Sequence, residues 1–277
     1  MSDDLSAALV AHFGERGLRS LEFAPEGPLR SPGLPLQVGP YFFAAEESDP
    51  LSLGQYAAGL GTDAGPMAGQ LRIGTDRGAE FYLAPDRTVR AVLLGVDVPE
   101  MPVSSGLDRF AAGLLLLDRN LPALASAEGD DAFAAYLRLR QGLLELDPWA
   151  FEEREAWWPR VLDDLRRPLN VASSAAFEYL DAQGAKQIAT EFGGPGLPHP
   201  EELLWHRLRA EGVEPEQVTA VYCELEPCLM PGHYCALWLA QTFPEAAFTH
   251  RFDYGESAES REDGIKALMI SSAEQQS

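Results

Sequence analysis

The sequence predicts an α+β segment followed by an α/β segment. Two observations carry this. In the first two-thirds, one helical stretch precedes a run of short alternating strands, and long helical patterns come after it; in the last third, strands and helices alternate. A third observation is bulk: 46% of the 277 residues are hydrophobic, enough to bury proper cores. That length suits one large domain or two ordinary ones.

Residues 5–13 read as a short amphipathic helix ended by Gly14. Residues 25–40 are rich in proline and glycine and read as loop, and Tyr41-Phe42-Phe43 as strand. Residues 71–74 and 80–83 alternate as a hairpin around Thr75-Asp76-Arg77-Gly78, and 89–94 form a third strand entered by a turn at 84–87. Ser104 and Ser105 form a cap pair before the apolar helix 107–117, and helical periodicity continues through 132–146 and 151–165. Trp157 and Trp158 read as helix packing, and Glu152-Glu153-Arg154-Glu155 as a solvated face. Proline ends a helix, so Pro168 sets a domain boundary, with residues 1–167 on one side and 168–277 on the other.

Beyond it, residues 175–180 and 186–192 form a hairpin about the turn 181–184, and 193–196 form an irregular loop. Pro198 and Pro200 bracket His199, and proline at a first helical position suits a helix over 200–208. Glu201 and Glu202 lie in its first turn, where negative charge is favoured. Glu202 is expected to face solvent, and Leu204, Trp205 and Leu208 to form an apolar stripe against a sheet. A strand at 218–223, a helix at 236–241, a strand at 247–252 and a helix at 257–269 complete the chain.

The three cysteines, Cys223, Cys228 and Cys235, all fall downstream of His199-Pro200-Glu201 and within thirteen positions of one another. One imidazole and two thiolates make three metal ligands and leave a fourth tetrahedral position open, as in catalytic zinc sites. Zinc lowers the pKa of water to about 7, and Glu201 is placed to act as the base. His199, Cys228 and Cys235 are therefore candidate Zn2+ ligands, and Glu201 the candidate catalytic residue. Six residues separate Cys228 from Cys235, and Pro231-Gly232 marks a turn that can return Cys235 to the metal. His233 or Cys223 remains an alternative ligand. A buried cysteine is ordinarily a small hydrophobe, and Cys223 reads most simply as a strand residue facing a core. His206 reads as a solvated helix residue and His250 as the polar face of a strand; His12 has no partner visible in the sequence.

A His-x-Glu opening one helix, followed by Pro-Cys and a second cysteine opening the next, resembles the zinc-dependent nucleobase deaminases. More narrowly, Tyr222-Cys223-Glu224-Leu225-Glu226-Pro227-Cys228 with Pro231-Gly232-His233-Tyr234-Cys235 resembles the deaminases of bacterial polymorphic toxin systems. The resemblance covers residues 168–277 and departs from the family in its cysteine spacing, which is usually two to four. It implies an α/β three-layer cytidine deaminase-like fold and hydrolytic deamination, with cytosine favoured over adenine. His199, Cys228 and Cys235 carry over as ligands and Glu201 as the proton shuttle. Phe192 and Tyr234 lie near enough in sequence to be considered as stacking partners for a base.

The upstream segment is similar to the SUKH superfamily, specifically its fourth immunity-protein subfamily. The similarity rests on Gly33-Leu34-Pro35, the segment Leu71-Arg72-Ile73-Gly74-Thr75-Asp76, Leu83-Ala84-Pro85-Asp86 with its following strand, the Ser104-Ser105 helix entry and Trp157-Trp158. It implies an α+β protein-binding module, partnered by a toxin or effector protein, without catalysis. An alternative reading makes the whole chain a binding or immunity protein with a structural zinc.

Net charge is −22, and the acid is spread evenly: residues 1–167 hold 15 basic and 26 acidic side chains and residues 168–277 hold 6 and 17. Such a surface offers no steering toward a polyanion, which disfavours duplex binding and leaves single strands or free nucleotides as substrates. The acidic N-terminus lacks a secretory pattern, and no run approaches the roughly 20 apolar residues of a membrane helix. A cytoplasmic location is expected, with thiols kept for metal rather than disulfides.

Overall fold

The computed structural model of the chain describes residues 2–21, 33–49, 51–126, 129–194, 197–255 and 257–275. The chain divides into two compact units, residues 1–123 with 134–162, and residues 124–133 with 163–277.

The first unit opens with α1 (Ser2–Phe13), followed by β1 (Leu18–Arg19), β2 (Leu34–Pro35), β3 (Gln37–Val38) and β4 (Phe42–Ala44). Strands thus replace loop over part of residues 33–40, while residues 25–32 of that expected loop lie outside the described residues. Helix α2 (Leu53–Gly59) precedes β5 (Leu71–Thr75), β6 (Ala79–Leu83), β7 (Val89–Leu93) and β8 (Met101–Ser104). Strands β3 to β8 pair in chain order as one antiparallel sheet, so the expected hairpin and third strand are present. Sequence reading passed over β8 because Pro102 interrupts it; β8 is the sheet's edge, where a missing N–H is tolerated. Helices α3 (Leu107–Ser126), α4 (Gly129–Leu146) and α5 (Trp157–Asn170) follow, of which residues 124–133 and 163–170 fall in the second unit.

The apolar stripe of α3 meets this sheet through aromatics. The ring of Phe110 lies 5.3 Å from Phe42 and 5.5 Å from Phe81, and Trp157 stands edge-on to Phe81 at 5.2 Å. Trp157 and Trp158 are both buried, as packing requires. Gly113 gives Trp158 its room, since a β-carbon there would sit 2.7 Å from the indole. The indole N–H of Trp157 donates to Asp76 Oδ2 at 2.8 Å, and Asp76 Oδ1 accepts from Ala79 N at 2.8 Å, so one buried carboxylate joins the hairpin turn to the helix.

Helix α5 does not stop before Pro168 but runs two residues beyond it. Pro168 has no N–H for the carbonyl of Asp164, and the last turn of the helix closes beyond it, with Val171 N donating to Arg167 O at 3.2 Å.

The second unit contains β9 (Ser174–Leu180), β10 (Lys186–Phe192), α6 (Pro200–Ala210), β11 (Val218–Leu225), α7 (Cys235–Thr242), β12 (Ala247–Phe252) and α8 (Ala258–Gln275). Its sheet has the order β10-β9-β11-β12, antiparallel except for the parallel pair β11–β12 that the α7 crossover requires. Ala175, Phe177, Val221, Cys223 and Leu225 bury one face of the sheet against Leu204, Trp205 and Leu208 of α6, Leu239 of α7, and Ile265 and Leu268 of α8. The predicted α6 stripe and the inward Cys223 are both found here. Phe243 wedges between them, 5.5 Å from Phe177 and 4.8 Å from Trp205. On the opposite face Tyr222 and Ile188 are exposed.

Replacing Asp76 with alanine removes two buried, charge-assisted bonds. Denaturant unfolding should show a loss of about 2–4 kcal/mol; a change under about 0.5 kcal/mol would show that the carboxylate does not tie turn to helix.

Candidate metal centre

His199 is the residue before the helix α6, with an extended backbone (φ −62°, ψ 152°). A following proline disfavours the helical region, so Pro200 holds His199 out of the helix and starts the helix one residue later. Glu202, at the third helical position, reaches back to accept the His199 backbone N–H at 3.1 Å. This corrects the expectation that Glu202 faces solvent: it is buried, because a carboxylate at that position satisfies a backbone donor that the helix cannot.

The cysteine loop begins where β11 ends. Met230 O accepts from both His233 N and Tyr234 N, and Tyr234 takes a left-handed conformation (φ 44°) that turns the chain into α7. Ala236 N then donates to Cys228 O at 3.0 Å, closing the loop. The six-residue spacer is therefore looped out, and Cys235 opens α7.

Three donors converge. His199 Nδ1 lies 3.4 Å from Cys228 Sγ and 3.3 Å from Cys235 Sγ, and all three residues are buried. Tetrahedral bonds of about 2.0–2.1 Å to nitrogen and 2.3 Å to sulfur separate neighbouring ligand atoms by about 3.5 Å. The donor set thus fits zinc in both chemistry and spacing. The other ring nitrogen, Nε2, meets Asp164 Oδ1 at 2.8 Å. A carboxylate on that side assigns the proton to Nε2 and turns the Nδ1 lone pair toward the two sulfurs.

Asp164 comes from α5, and sequence reasoning missed it. The available signal was phase: Asp164 falls on the apolar side of α5, three residues after buried Val161 and beside buried Leu165. His233 was weighed as a ligand, but its nitrogens are engaged elsewhere, Nε2 at 3.2 Å from Asp164 Oδ2 and Nδ1 at 2.6 Å from Glu202 Oε2. Among the described residues, the donor group containing both Cys228 and Cys235 is completed by His199, not by Cys223.

Electrostatics follow from burial and from these neighbours. Burial opposes the charge on Asp164, but His233 and His199 outweigh it and hold the carboxyl well below its ordinary pKa. Burial likewise opposes ionisation of Cys228, yet Cys235 and His199 outweigh it and bring the thiol down. Cys235 is pushed up by burial and then by Cys228, so Cys228 ionises first. Glu201 is buried, its Oε2 has no hydrogen-bond partner among the described residues, and burial raises its pKa. Burial, then Glu201, pushes the Cys223 thiol up as well, leaving it protonated and donating to Glu201. The guanidinium of Arg167 is buried and donates to Ser173 Oγ at 3.3 Å. Phe192 and Tyr234 part company: Phe192 is 64% exposed at the end of β10, and Tyr234 is buried. His206 and His250 are exposed, His250 bonding Asp253, and His12 pairs with Asp118 at 2.7 Å.

Two family models match. One, described as Xanthomonas-like deaminase, covers residues 170–271 and so includes His199, Glu201, Cys228 and Cys235. The other, described as SUKH-4 immunity protein, covers residues 22–164, more than half of the chain. No curated protein and no solved structure matches.

Cys235→Ser should lower bound zinc from about one per chain to a small fraction, whereas Cys223→Ser should leave it unchanged; elemental analysis of the purified variants decides, and the reverse result would move the ligand role to Cys223. Asp164→Asn should weaken zinc binding about 10–100-fold in a chelator competition.

Proposed function

The chain belongs to the SUKH-4 immunity proteins over residues 22–164 and carries a deaminase-family domain over residues 170–271, and we propose that this domain is a zinc-dependent nucleobase deaminase. The observation that carries the reading is the buried trio His199 Nδ1, Cys228 Sγ and Cys235 Sγ, with a carboxylate two residues from the histidine whose Oε2 has no hydrogen-bond partner among the described residues. We divide the chain functionally into a SUKH-like immunity-type domain, residues 1–167, and a deaminase domain, residues 168–277. The helix α5 lends Asp164 and Arg167 to the site's surroundings. We read the second domain as an α/β three-layer, cytidine deaminase-like fold from the order of its strands and helices; the helices described after residue 174, α6, α7 and α8, pack on one face of its sheet.

His199, Cys228 and Cys235 would hold the ion. When bound, zinc supplies a Lewis acid that brings the pKa of water to about 7. Glu201 moves the proton. Its buried carboxyl has a raised pKa, which suits a group that must take up a proton at Oε2 and release it again. In the net reaction, water supplies a new carbonyl oxygen and the exocyclic C–N bond breaks. Glu201 carries protons from water to the ring nitrogen and to the amine, which leaves as ammonia. Asp164 orients the His199 imidazole, and the closed loop from Cys228 to Ala236 holds the thiols together.

Cytosine is the favoured base by resemblance to the toxin-system deaminases. A net charge of −22 favours a single-stranded nucleic acid or a nucleotide over a duplex. The SUKH-4 domain would recognise a toxin or effector protein. No helix among the described residues is long and apolar enough to cross a membrane, and we place the protein in the cytoplasm.

Ammonia release from cytidine, deoxycytidine and single-stranded oligonucleotides tests the reaction. Glu201→Ala should reduce the rate about 10²–10⁴-fold while zinc stays bound. Activity that survives the substitution would remove Glu201 from the mechanism. A wild type that releases ammonia from no base would replace the enzyme reading with a binding protein holding a structural zinc.

A further inference from the structure

We propose that His233 is a positioning residue, carried in by the long spacer between the two cysteines to tie together the two carboxylates that fix His199. The inference rests on the zinc reading of the same site. Its basis is a closed circuit of four residues. Asp164 Oδ1 meets the His199 ring at Nε2, 2.8 Å away, and Glu202 Oε2 accepts the His199 backbone N–H at 3.1 Å. His199 is therefore gripped at its ring and at its main chain by separate carboxylates. His233 spans those carboxylates, with Nε2 3.2 Å from Asp164 Oδ2 and Nδ1 2.6 Å from Glu202 Oε2. Its ring also lies flat on the His199 ring, 3.8 Å between centroids with 9° between planes.

Both His233 ring nitrogens are thus engaged, one by each of the two buried carboxylates. Arg167 adds positive charge near Asp164. Without His233, Asp164 and Glu202 would each lose a hydrogen-bonding partner in the interior, where replacing such a partner is costly. Both would reorganise, and the hold on the His199 ring would loosen with them. The same circuit accounts for the spacer. Its turn, built on Met230 O, sets His233 over His199 and still returns Cys235 to the metal face.

The test uses the full chain as wild type, His233→Gln and Glu202→Gln, each with zinc removed and restored. A chelator competition should show zinc bound about 10–100-fold more weakly in both variants. The zinc-induced rise in melting temperature should shrink in both, and the absorption bands of the cobalt-substituted site should shift or broaden. A merely structural role would lower the zinc-free and zinc-loaded melting temperatures equally and leave the cobalt bands in place; that result, or zinc affinity within about threefold of wild type in both variants, overturns the proposal while leaving the metal reading intact. A wild type that binds no zinc overturns both. Should His233→Gln fail to fold, Glu202→Gln decides by the same measurements, because it keeps the shape of the clamp and removes one of its charges.

Discussion

The second unit depends on where one imidazole points. The ring of His199 lies between two sulfurs on one side and the Asp164 carboxylate on the other, and each side constrains the other. A carboxylate at Nε2 keeps the proton there, which leaves Nδ1 as a lone-pair donor toward the thiols. In the other tautomer a protonated Nδ1 would face the two sulfurs, and the Asp164 carboxylate would face the lone pair of Nε2. The pairing is thus a matter of polarity as well as packing.

Most of the local structure serves that arrangement. Pro200 holds His199 in an extended conformation at the end of α6, and Glu202 reaches back to its N–H, so the backbone that carries the ring is held before the ring itself is placed. Opposite, Tyr234 accepts a left-handed backbone that costs a non-glycine residue of order 1–3 kcal/mol, and the closing bond from Ala236 N to Cys228 O holds the turn in place. The sheet and the α6 stripe supply a rigid floor through Phe243, Phe177 and Trp205. Candidate ligands on loops can be held accurately here because the loops spring from the end of β11 and the starts of α6 and α7.

Glu201 and Glu202 show how adjacent identical residues acquire different chemistry. Both are buried, but Glu202 accepts from a backbone N–H and a histidine and is held below its ordinary pKa, against the cost of burial. Glu201 has an oxygen with no partner among the described residues, and its pKa is raised. The first is suited to hold a fixed charge and the second to exchange a proton. A difference of one position on a helix, about 100° around its axis, separates the two roles.

The strands and helices of the second unit were legible from alternation and turns, because residues 175–180 and 186–192 flank an Asp-Ala-Gln-Gly turn and α6 carries its apolar stripe at helical spacing. So was the grouping of His199, Cys228 and Cys235, since unusual residue types were crowded into one stretch. Strand β8 was hidden by Pro102, which is tolerated only because β8 proved to be an edge, and the helix beyond Pro168 was hidden by a proline rule that local bonding relaxes. Taken alone, then, the sequence determined the order of elements in the second unit, the two families and the crowding of three thiols downstream of one imidazole, because these are properties of short spans. Only the tertiary structure decided that Asp164, 35 residues before His199, supplies the orienting carboxylate, that Glu202 turns inward, and that His233 sits between the two. Those are encounters between distant segments, and their reason is physical: buried charges must find opposite partners, and folding alone determines which partners lie within reach.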